Sequence, residues 1–315
     1  MVSTGLNHRG GANPTKFSSP VYLFLPSGYK GLVKAAIRLF QTRYQPVDPR
    51  YFQLVWLGMF LLYGILQLGW HRDAWQLLAL WSTALITQLV FCRIYKKPYD
   101  AWKSAAITAL GLSLLLRAGD VWVYALAGFL AIASKFLIRY KGKHLFNPAN
   151  FALVACVFGL KAAWVSPGQW GSDAMLLYFI GGAGLMVLLR SARLDTAFTF
   201  LLVLLAAEAT RSMLWLGWPA DFLLHRFSNG SLLLFSFFMI TDPMTTPNHP
   251  LARRIWAAAI ALFTFWLGSF HYLQTAPVIA LFLFSLSTPL FDRLWKHLPF
   301  RWNRAADFPK QAIHS

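Results

Sequence analysis

The sequence Gly142-Lys-His-Leu-Phe-Asn-Pro-Ala-Asn150 separates two long apolar runs. Asn147 and Asn150 carry amides that can donate and accept hydrogen bonds at once. Pro148 lies between them; it lacks a backbone donor and disfavours a regular helix through residue 147. A polar, interrupted backbone at the edge of a membrane span needs other protein groups or a cavity to satisfy it. The stretch is therefore a candidate binding site in a membrane protein.

A second stretch has the same character and reads Ile240-Thr-Asp-Pro-Met-Thr-Thr-Pro-Asn-His-Pro250. Thr241 and Asp242 follow Ser231–Ile240, an apolar segment long enough to cross only about half of a bilayer. Short segments broken by Pro or Gly indicate a binding site near the membrane midplane in transporter-like folds. Asp242 could bind a ligand or an adjacent helix N-terminus, whose partial positive charge favours an acid.

The composition of the chain predicts an all-α, polytopic membrane protein. Of its 315 residues 57% are hydrophobic and only 13% are charged, whereas about 25% are charged in a soluble domain. We expect about ten transmembrane helices, some short or interrupted, in a membrane domain over residues 51–292. The ten apolar segments are Phe52–Trp70, Ala74–Cys92, Ala105–Leu116, Val121–Leu137, Phe151–Trp164, Ala174–Leu189, Thr196–Leu216, Ser231–Ile240, Ile255–Phe270 and Ala276–Leu290.

The basic residues predict the orientation of these spans. With ten spans, 24 of the 29 Lys and Arg residues fall on the side that holds both termini. By the positive-inside rule this side is the cytoplasm, with the lipid bilayer of a bacterial-type inner membrane as the surroundings. The excess charge is then an orientation signal, and no pattern of a nucleic-acid-binding domain accompanies it.

Both ends of the chain are predicted to be basic cytoplasmic segments, residues 1–50 and 293–315. Within the first, Gly31–Arg43 places apolar residues on one helical face. That pattern is typical of an interfacial amphipathic helix on an anionic leaflet, and equally of a basic helix packed on a partner subunit.

Several single residues have two interpretations. Asn147 could cap the helix that follows it, or the two Asn amides could form a paired edge for a planar heterocycle such as a flavin. Glu208 and Arg211 can pair across one helical turn, or form an exposed loop pair. A further group could stabilise a reduced, anionic cofactor or serve only as topology signals: Lys143, His144, Arg190 and Arg193.

Four stretches, in order, resemble one family. This family comprises the D subunit of the Rnf ferredoxin–NAD oxidoreductase and the B subunit of the sodium-pumping NADH–quinone reductase. Gly142–Asn150 is similar to its Gly-Lys-Asn-Phe/Leu-Asn-Pro-Ala segment, and Phe237–Pro243 to its Phe-Phe-Met-Ala-Thr-Asp-Pro. Gly181–Asp195 resembles the span after its flavin loop, and Thr288–Asp292 resembles its Ala-Pro-Ile-Phe-Asp ending.

The resemblance implies a flavin-carrying electron-transfer subunit that works with other membrane redox subunits. It favours a cofactor-binding role for Asn147, Asn150, Thr241 and Asp242, with Lys143, His144 and Arg193 nearby. The family attaches FMN to a threonine in a Ser-Gly-Ala-Thr loop, but no threonine occurs here from Asn147 to Arg190.

We therefore expect a flavin, FMN or riboflavin, to be bound without a covalent link. The alternatives are a small-molecule transporter or channel, whose substrate could itself be a flavin, and a structural membrane subunit without a cofactor.

The charge distribution generates a topology prediction. A reporter fused at Gly168 should be non-cytoplasmic, while fusions at Gly142 and at the C-terminus should be cytoplasmic, because the intervening Phe151–Trp164 segment crosses the membrane. Paired alkaline phosphatase and fluorescent-protein fusions measure this directly. Finding Gly142 and Gly168 on the same side would remove the fifth span.

Overall fold

The computed structural model describes residues 48–97, 101–170, 174–191, 193–298 and 300. The predicted amphipathic helix at Gly31–Arg43 lies outside these residues, as does most of the basic tail. The described chain is mostly helical. Its helices are α1 Pro49–Leu66, α2 Ala74–Ile94, α3 Trp102–Leu115, α4 Val121–Leu137, α5 Pro148–Val154, α6 Ala174–Ser191, α7 Leu194–Ala209, α8 Asp221–Phe227, α9 Gly230–Leu234, α10 Pro250–Phe270, α11 Ala276–Ser285 and α12 Thr288–Leu294.

Each predicted apolar segment overlaps a helix, but the helices differ in length, and the segment Phe151–Trp164 is helical only as far as Gly159 before it enters β4. Within the described residues, three helices are long and apolar enough to cross a membrane: Ala74–Ile94, Leu194–Trp215 and Pro250–Phe270. The pair α11 and α12, bent by 49°, would make a fourth span. The other apolar helices, with the π-helical turns that extend them, have 10–18 residues, short of the roughly 20 that a full crossing needs. The protein is thus a helical membrane protein, and ten full crossings remain a prediction.

Three helices continue into π-helical turns. These are Ala155–Gly159 after α5, Thr210–Trp215 after α7 and Phe235–Met239 after α9. The turns after α5 and α9 extend short helices that lie next to the two candidate stretches, Gly142–Asn150 and Ile240–Pro250. Single π-helical turns are frequent at functional sites because they redirect the side chains that follow.

The sequence did not predict two short antiparallel ladders, which depart from a purely helical fold. Strand β1, Leu116–Ala118, pairs with β4, Ala163–Val165. Strand β2, Arg139–Tyr140, forms a hairpin with β3, Lys143–His144. Its two central residues, Lys141 and Gly142, have φ of 47° and 84°. Two successive positive φ angles are the geometry of the tight turn that matches strand twist, and glycine adopts it without strain.

The helices pack as neighbouring pairs, with α2 against α4, α7 against α10 and α1 against α3. An ion pair between Asp195 and Arg253 links α7 to α10 near the start of both helices. Arg253 Nη2 lies 2.7 Å from Asp195 Oδ2, and the same guanidinium donates from Nη1 to the carbonyl of Asn248 at 2.8 Å. Arg253 therefore connects α7, α10 and the loop before α10.

At the other end of α7, Glu208 has a partner that the sequence did not predict. Its side chain is 2% exposed and pairs with Arg226 at 2.6 Å. Arg211 lies instead over the ring of Phe270, 5.4 Å from its centroid. Glu208 and Arg211 therefore form neither the pair across one helical turn nor the exposed loop pair that the sequence suggested. The helix continues past Glu208 as a π-helical turn, whose wider winding carries Arg211 away from the carboxylate.

A close approach between α6 and the π-helical turn after α9 generates a stability prediction. A Cβ at Gly184 would lie 2.5 Å from Cγ and 2.7 Å from Cβ of Phe237, whereas one at Gly182 would meet nothing within 4 Å. Gly184→Ala should therefore destabilise the fold by about 1–3 kcal/mol through overpacking. Thermal unfolding in detergent measures the loss. Gly182→Ala, in the same helix, is the control and should be neutral or slightly stabilising; equal effects of both variants would contradict the packing.

The Arg253–Asp195 pair generates a second prediction with an adjacent control. Arg253 is buried, while Arg254 is exposed. Breaking a buried pair by removing one partner costs roughly 3–5 kcal/mol because a charge is left uncompensated. Arg253→Leu should lower the unfolding temperature markedly, and Arg254→Leu should leave it unchanged. A loss of the same size in both variants would show that general basic charge, rather than the pair, stabilises this end of the helices.

Candidate functional site

A cleft lies between α1, α3, the start of α5 and the segment around Asp242. The space between its walls is ≈ 820 Å³ when the part open to the surroundings is included. Its polar lining comes from the first turns of α1 and α3 and from the two candidate stretches. The lining side chains are Arg50, Gln53, Ser104, Thr108, His144, Asn147 and Asp242, with apolar Leu57, Ile107, Leu114, Leu115, Leu234, Phe238, Met239 and Met244.

Asn147 both caps a helix and faces the cleft. Its Oδ1 accepts from the backbone N–H of Asn150 at 3.1 Å, which satisfies a free amide at the start of α5. Its Nδ2 points to Asp242 Oδ2 and to the carbonyl of Met239, each at 3.4 Å. One end of the amide therefore builds the helix, and the donor end reaches the second candidate stretch 95 residues later.

The carboxylate of Asp242 lies between the side-chain amide of Asn147 and the imidazole of His144. Its Oδ1 accepts from the backbone N–H of Met244 at 3.0 Å, while Oδ2 lies 3.4 Å from both Asn147 Nδ2 and His144 Nε2. N–H···O hydrogen bonds usually measure about 2.7–3.2 Å between the heavy atoms. Both contacts of Oδ2 are longer than this, so Oδ2 can accept a shorter hydrogen bond from a ligand.

The charge state of Asp242 follows from its surroundings. Burial alone would raise the pKa of this carboxyl group. The hydrogen bond and charge of His144, the Met244 N–H and the Lys135 ammonium outweigh burial and lower the pKa below its ordinary value. The group is therefore an ionised acceptor.

Two other predicted residues lie near this centre but do not line the cleft. Asn150 is 1% exposed, and neither its Oδ1 nor its Nδ2 has a hydrogen-bond partner among the described residues. Thr241 is buried and donates its hydroxyl to the carbonyl of Phe237 at 2.7 Å, one turn earlier in the helix. Three predicted residues, His144, Asn147 and Asp242, therefore meet in the cleft.

The predicted cations Lys143 and Arg193 do not line the cleft, and Lys143 contacts the segment that follows Asp242. Lys143 Nζ donates to the carbonyl of Thr246 at 2.7 Å and pairs with Asp292 at 2.9 Å; burial lowers its pKa, and Asp292 opposes that shift. Arg193 is 5% exposed and lies over the ring of Phe300. Burial and the repulsion of Arg253 lower its pKa to about 9.

Sequence reasoning missed the polar residues that α1 and α3 contribute to the cleft. Arg50 and Gln53 lie one turn apart at the start of α1, and Ser104 and Thr108 occupy one face of α3 at a spacing of four residues. Residues four apart lie on the same helical face, but Ser104 precedes the apolar segment Ala105–Leu116, where a polar residue is ordinary, so the pair gave no clear signal.

Comparisons with known proteins agree with the resemblance that the motifs carry. Residues 160–301 match the model of the NQR2, RnfD, RnfE family. A protein of Cronobacter sakazakii, named as the D subunit of an ion-translocating oxidoreductase complex, is 29% identical over 154 residues, which cover 48% of this chain and 41% of that protein. Its namesake in Stutzerimonas stutzeri is 29% identical over 145 residues, 46% of this chain and 39% of that protein.

These alignments span about two fifths of each relative's length. The family match includes Asp242, Arg193 and Asp292, and it begins after Asn147 and Asn150. Over residues 160–301, less than half of the chain, the sequence matches the NQR2, RnfD, RnfE family, and both relatives that it resembles are named as D subunits.

Proposed function

We propose that this protein is a membrane subunit of an ion-translocating oxidoreductase complex, and that its cleft binds a flavin through contacts alone. The complex would supply further membrane redox subunits as partners, in an inner membrane with both termini of this chain cytoplasmic. The family match and the names of the two relatives support the first part. The chemistry of the cleft supports the second.

The observation that carries the flavin proposal is the pairing of an ionised acceptor with a donor at one edge of an apolar cleft. Asp242 Oδ2 can accept a hydrogen bond, and Asn147 Nδ2 can donate one. The pyrimidine edge of an isoalloxazine presents an N–H between two carbonyl oxygens, which needs an acceptor beside a donor. The apolar lining from Leu57, Leu115 and Phe238 suits the face of a planar ring.

In this proposal the protein orients the ring and adjusts its charge environment. The flavin, when bound, supplies one- or two-electron transfer. Asp242 accepts from the ring N–H, Asn147 donates to the neighbouring carbonyl oxygen, and His144 Nε2 lies 3.4 Å from the Asp242 carboxylate. The apolar walls exclude water from the ring faces.

The interval that carries the covalent link in the resembling family supports non-covalent binding here. In this chain it forms β4, which pairs with β1 at the end of α3. Ser166 follows β4 directly, whereas Ser104 and the polar edge of the cleft lie at the start of α3. The 14 residues of α3 measure about 21 Å at 1.5 Å per residue. A tether at Ser166 would have to run the length of this helix to reach Asp242.

A native spectrum and a denaturing gel test the proposal. The full chain purified in mild detergent should show flavin absorption, and its band on a denaturing gel should be dark under ultraviolet light because no covalent bond retains the ring. A band that stays fluorescent would show a covalent link and refute non-covalent binding. Colourless native protein that binds no added FMN or riboflavin would remove the flavin part, and flavin uptake by reconstituted vesicles would favour a transporter.

Asn147→Ala tests the site itself, with Asn229→Ala as its matched control. Both asparagines cap a helix, since Asn229 Oδ1 accepts from Ser231 N at 2.8 Å, but only Asn147 lines the cleft. Loss of one buried hydrogen bond weakens binding by roughly 5- to 150-fold, so Asn147→Ala should lose flavin while Asn229→Ala keeps it. Equal losses would assign the effect to helix capping.

A further inference from the structure

A serine and a lysine from different helices meet beside the cleft. Ser104 lies in the first turn of α3 and lines the cleft. Lys135 lies in the last turn of α4, and its Nζ is 3.1 Å from Ser104 Oγ. A hydroxyl within hydrogen-bond distance of an amine is the arrangement of a serine nucleophile with a lysine as its base. The pair therefore has the geometry for covalent catalysis.

A glutamine of α2 holds the amine in position. Gln88 Oε1 accepts from Lys135 Nζ at 3.0 Å, and Gln88 Nε2 donates to Cys92 Sγ at 3.0 Å. The side chain of Gln88 is 1% exposed, so packing restricts it to this orientation. A catalytic base is usually oriented by a third group in this way. Nucleophile, base and orienting residue thus come from three helices.

The partners of Lys135 suit a base better than a fixed charge. Among the described residues, the side chains that accept from its Nζ are neutral, and no carboxylate lies within ion-pair distance of it. Asp242 feels the charge of Lys135 only at longer range, where that charge helps to lower the pKa of the carboxyl group. Proteins use lysines held away from carboxylates as general bases, whereas ion-paired lysines serve as fixed charges.

The start of α3 supplies donors for an oxyanion. The first N–H groups of an α-helix have no partner within the helix, and Ala101, at the N-cap of α3, makes no side-chain hydrogen bond to them. These N–H groups belong to the same turn as Ser104. Backbone N–H groups at a helix N-terminus stabilise the negative oxygen that develops when a hydroxyl attacks a carbonyl group.

The shape of the cleft indicates the substrate class. One face of α3 lines it, through Ser104, Ile107, Gly111 and Leu115, at the three- and four-residue spacing of a single helical face. The helix rises about 16 Å between Ser104 and Leu115 at 1.5 Å per residue, which is enough for an extended acyl chain of about twelve carbons. The apolar lining suits such a chain, with its carbonyl end at Ser104.

We propose that Ser104 and Lys135 form a catalytic dyad that hydrolyses esters of apolar acyl chains. This activity needs no cofactor, so it stands apart from the proposed electron-transfer function. Lys135 takes the proton as Ser104 Oγ attacks the ester carbonyl carbon. The bond to the leaving alcohol then breaks, and Lys135 returns the proton to that alcohol.

Water completes the cycle. It attacks the carbonyl carbon of the acyl–Ser104 ester and gives one proton to Lys135. The bond to Ser104 Oγ then breaks, and Lys135 returns this proton to the serine oxygen. The net reaction converts an ester and water into a carboxylic acid and an alcohol.

A fluorescent fluorophosphonate, which reacts with activated serines, tests the nucleophile in the full chain in detergent. Wild-type protein should be labelled on the peptide that holds Ser104, and Ser104→Ala should lose the label. Ser82→Ala is the matched control, because Ser82 is exposed on α2 and donates to the carbonyl of Ala79; its label should remain. Unlabelled wild-type protein, or a label that survives Ser104→Ala, would overturn the proposal.

Lys135→Arg separates a base from a structural cation. Arginine keeps a positive charge and hydrogen-bond donors but does not act as a base in proteins. The rate of p-nitrophenyl laurate hydrolysis should fall by about 10²–10⁴-fold, the usual contribution of a general base, while the unfolding temperature stays near that of the wild type. Wild-type turnover in Lys135→Arg would contradict the dyad, as would labelled wild-type protein that releases no p-nitrophenol.

Gly111→Leu tests where the acyl chain lies. A Cβ at Gly111 would meet only Ala149, at 3.8 Å, so the larger side chain should fill the cleft without disturbing the fold. Hydrolysis of p-nitrophenyl laurate should fall by about tenfold or more, and hydrolysis of p-nitrophenyl butyrate should change little. Equal losses with both esters would refute the placement of the chain along α3.

Discussion

The segment from Thr241 to His249 interrupts the helices, and its backbone groups must find partners inside the protein. Lys143 donates to the carbonyl of Thr246, Thr288 to that of Thr245, and Arg253 to that of Asn248. The Asp292 carboxylate accepts from the backbone N–H of Asn248 at 2.7 Å. An unsatisfied buried polar group costs about 1–3 kcal/mol, so this set of contacts fixes how β3, α10 and α12 meet. The position of Asp242 depends on that arrangement.

The parts of the fold that were predictable depend on local patterns. Apolar segments and their interruptions located the helices, and the pairing of Asn with Pro located the start of α5, because Pro148 and Asn147 act within a few residues of each other. The ladder between β1 and β4 was not predictable, since each strand has only three residues and its partner lies over 40 residues away. Strand signals need longer alternating runs than these.

The candidate site likewise contains residues that the sequence predicted and residues that it did not. His144, Asn147 and Asp242 stand out in the sequence because each lies in a polar, proline-containing stretch between apolar runs. Arg50 and Ser104 sit at helix starts, where polar residues are ordinary, and only the packing of α1 against α3 brings them to the cleft. The partner of Glu208 was missed for a similar reason, because the π-helical turn that follows α7 leaves no clear signal in the sequence.

The two walls of the cleft differ because the charges behind them differ. Behind Asp242, the cations Lys143, Arg193 and Arg253 face the carboxylates Asp195, Asp242 and Asp292. Each of these carboxylates therefore has a cation or a hydrogen-bond donor beside it, and His144 and Asn147 both lie 3.4 Å from Asp242 Oδ2. On the side of α1 and α3, Asp48 accepts from both Arg50 and Lys103, while Lys135 donates to the neutral side chains of Ser104 and Gln88. Lys135 connects the two sides, because its ammonium donates to Ser104 at 3.1 Å and its charge also helps to lower the pKa of Asp242. The polar groups of α3 and the carboxylate of Asp242 therefore depend on each other electrostatically as well as through packing.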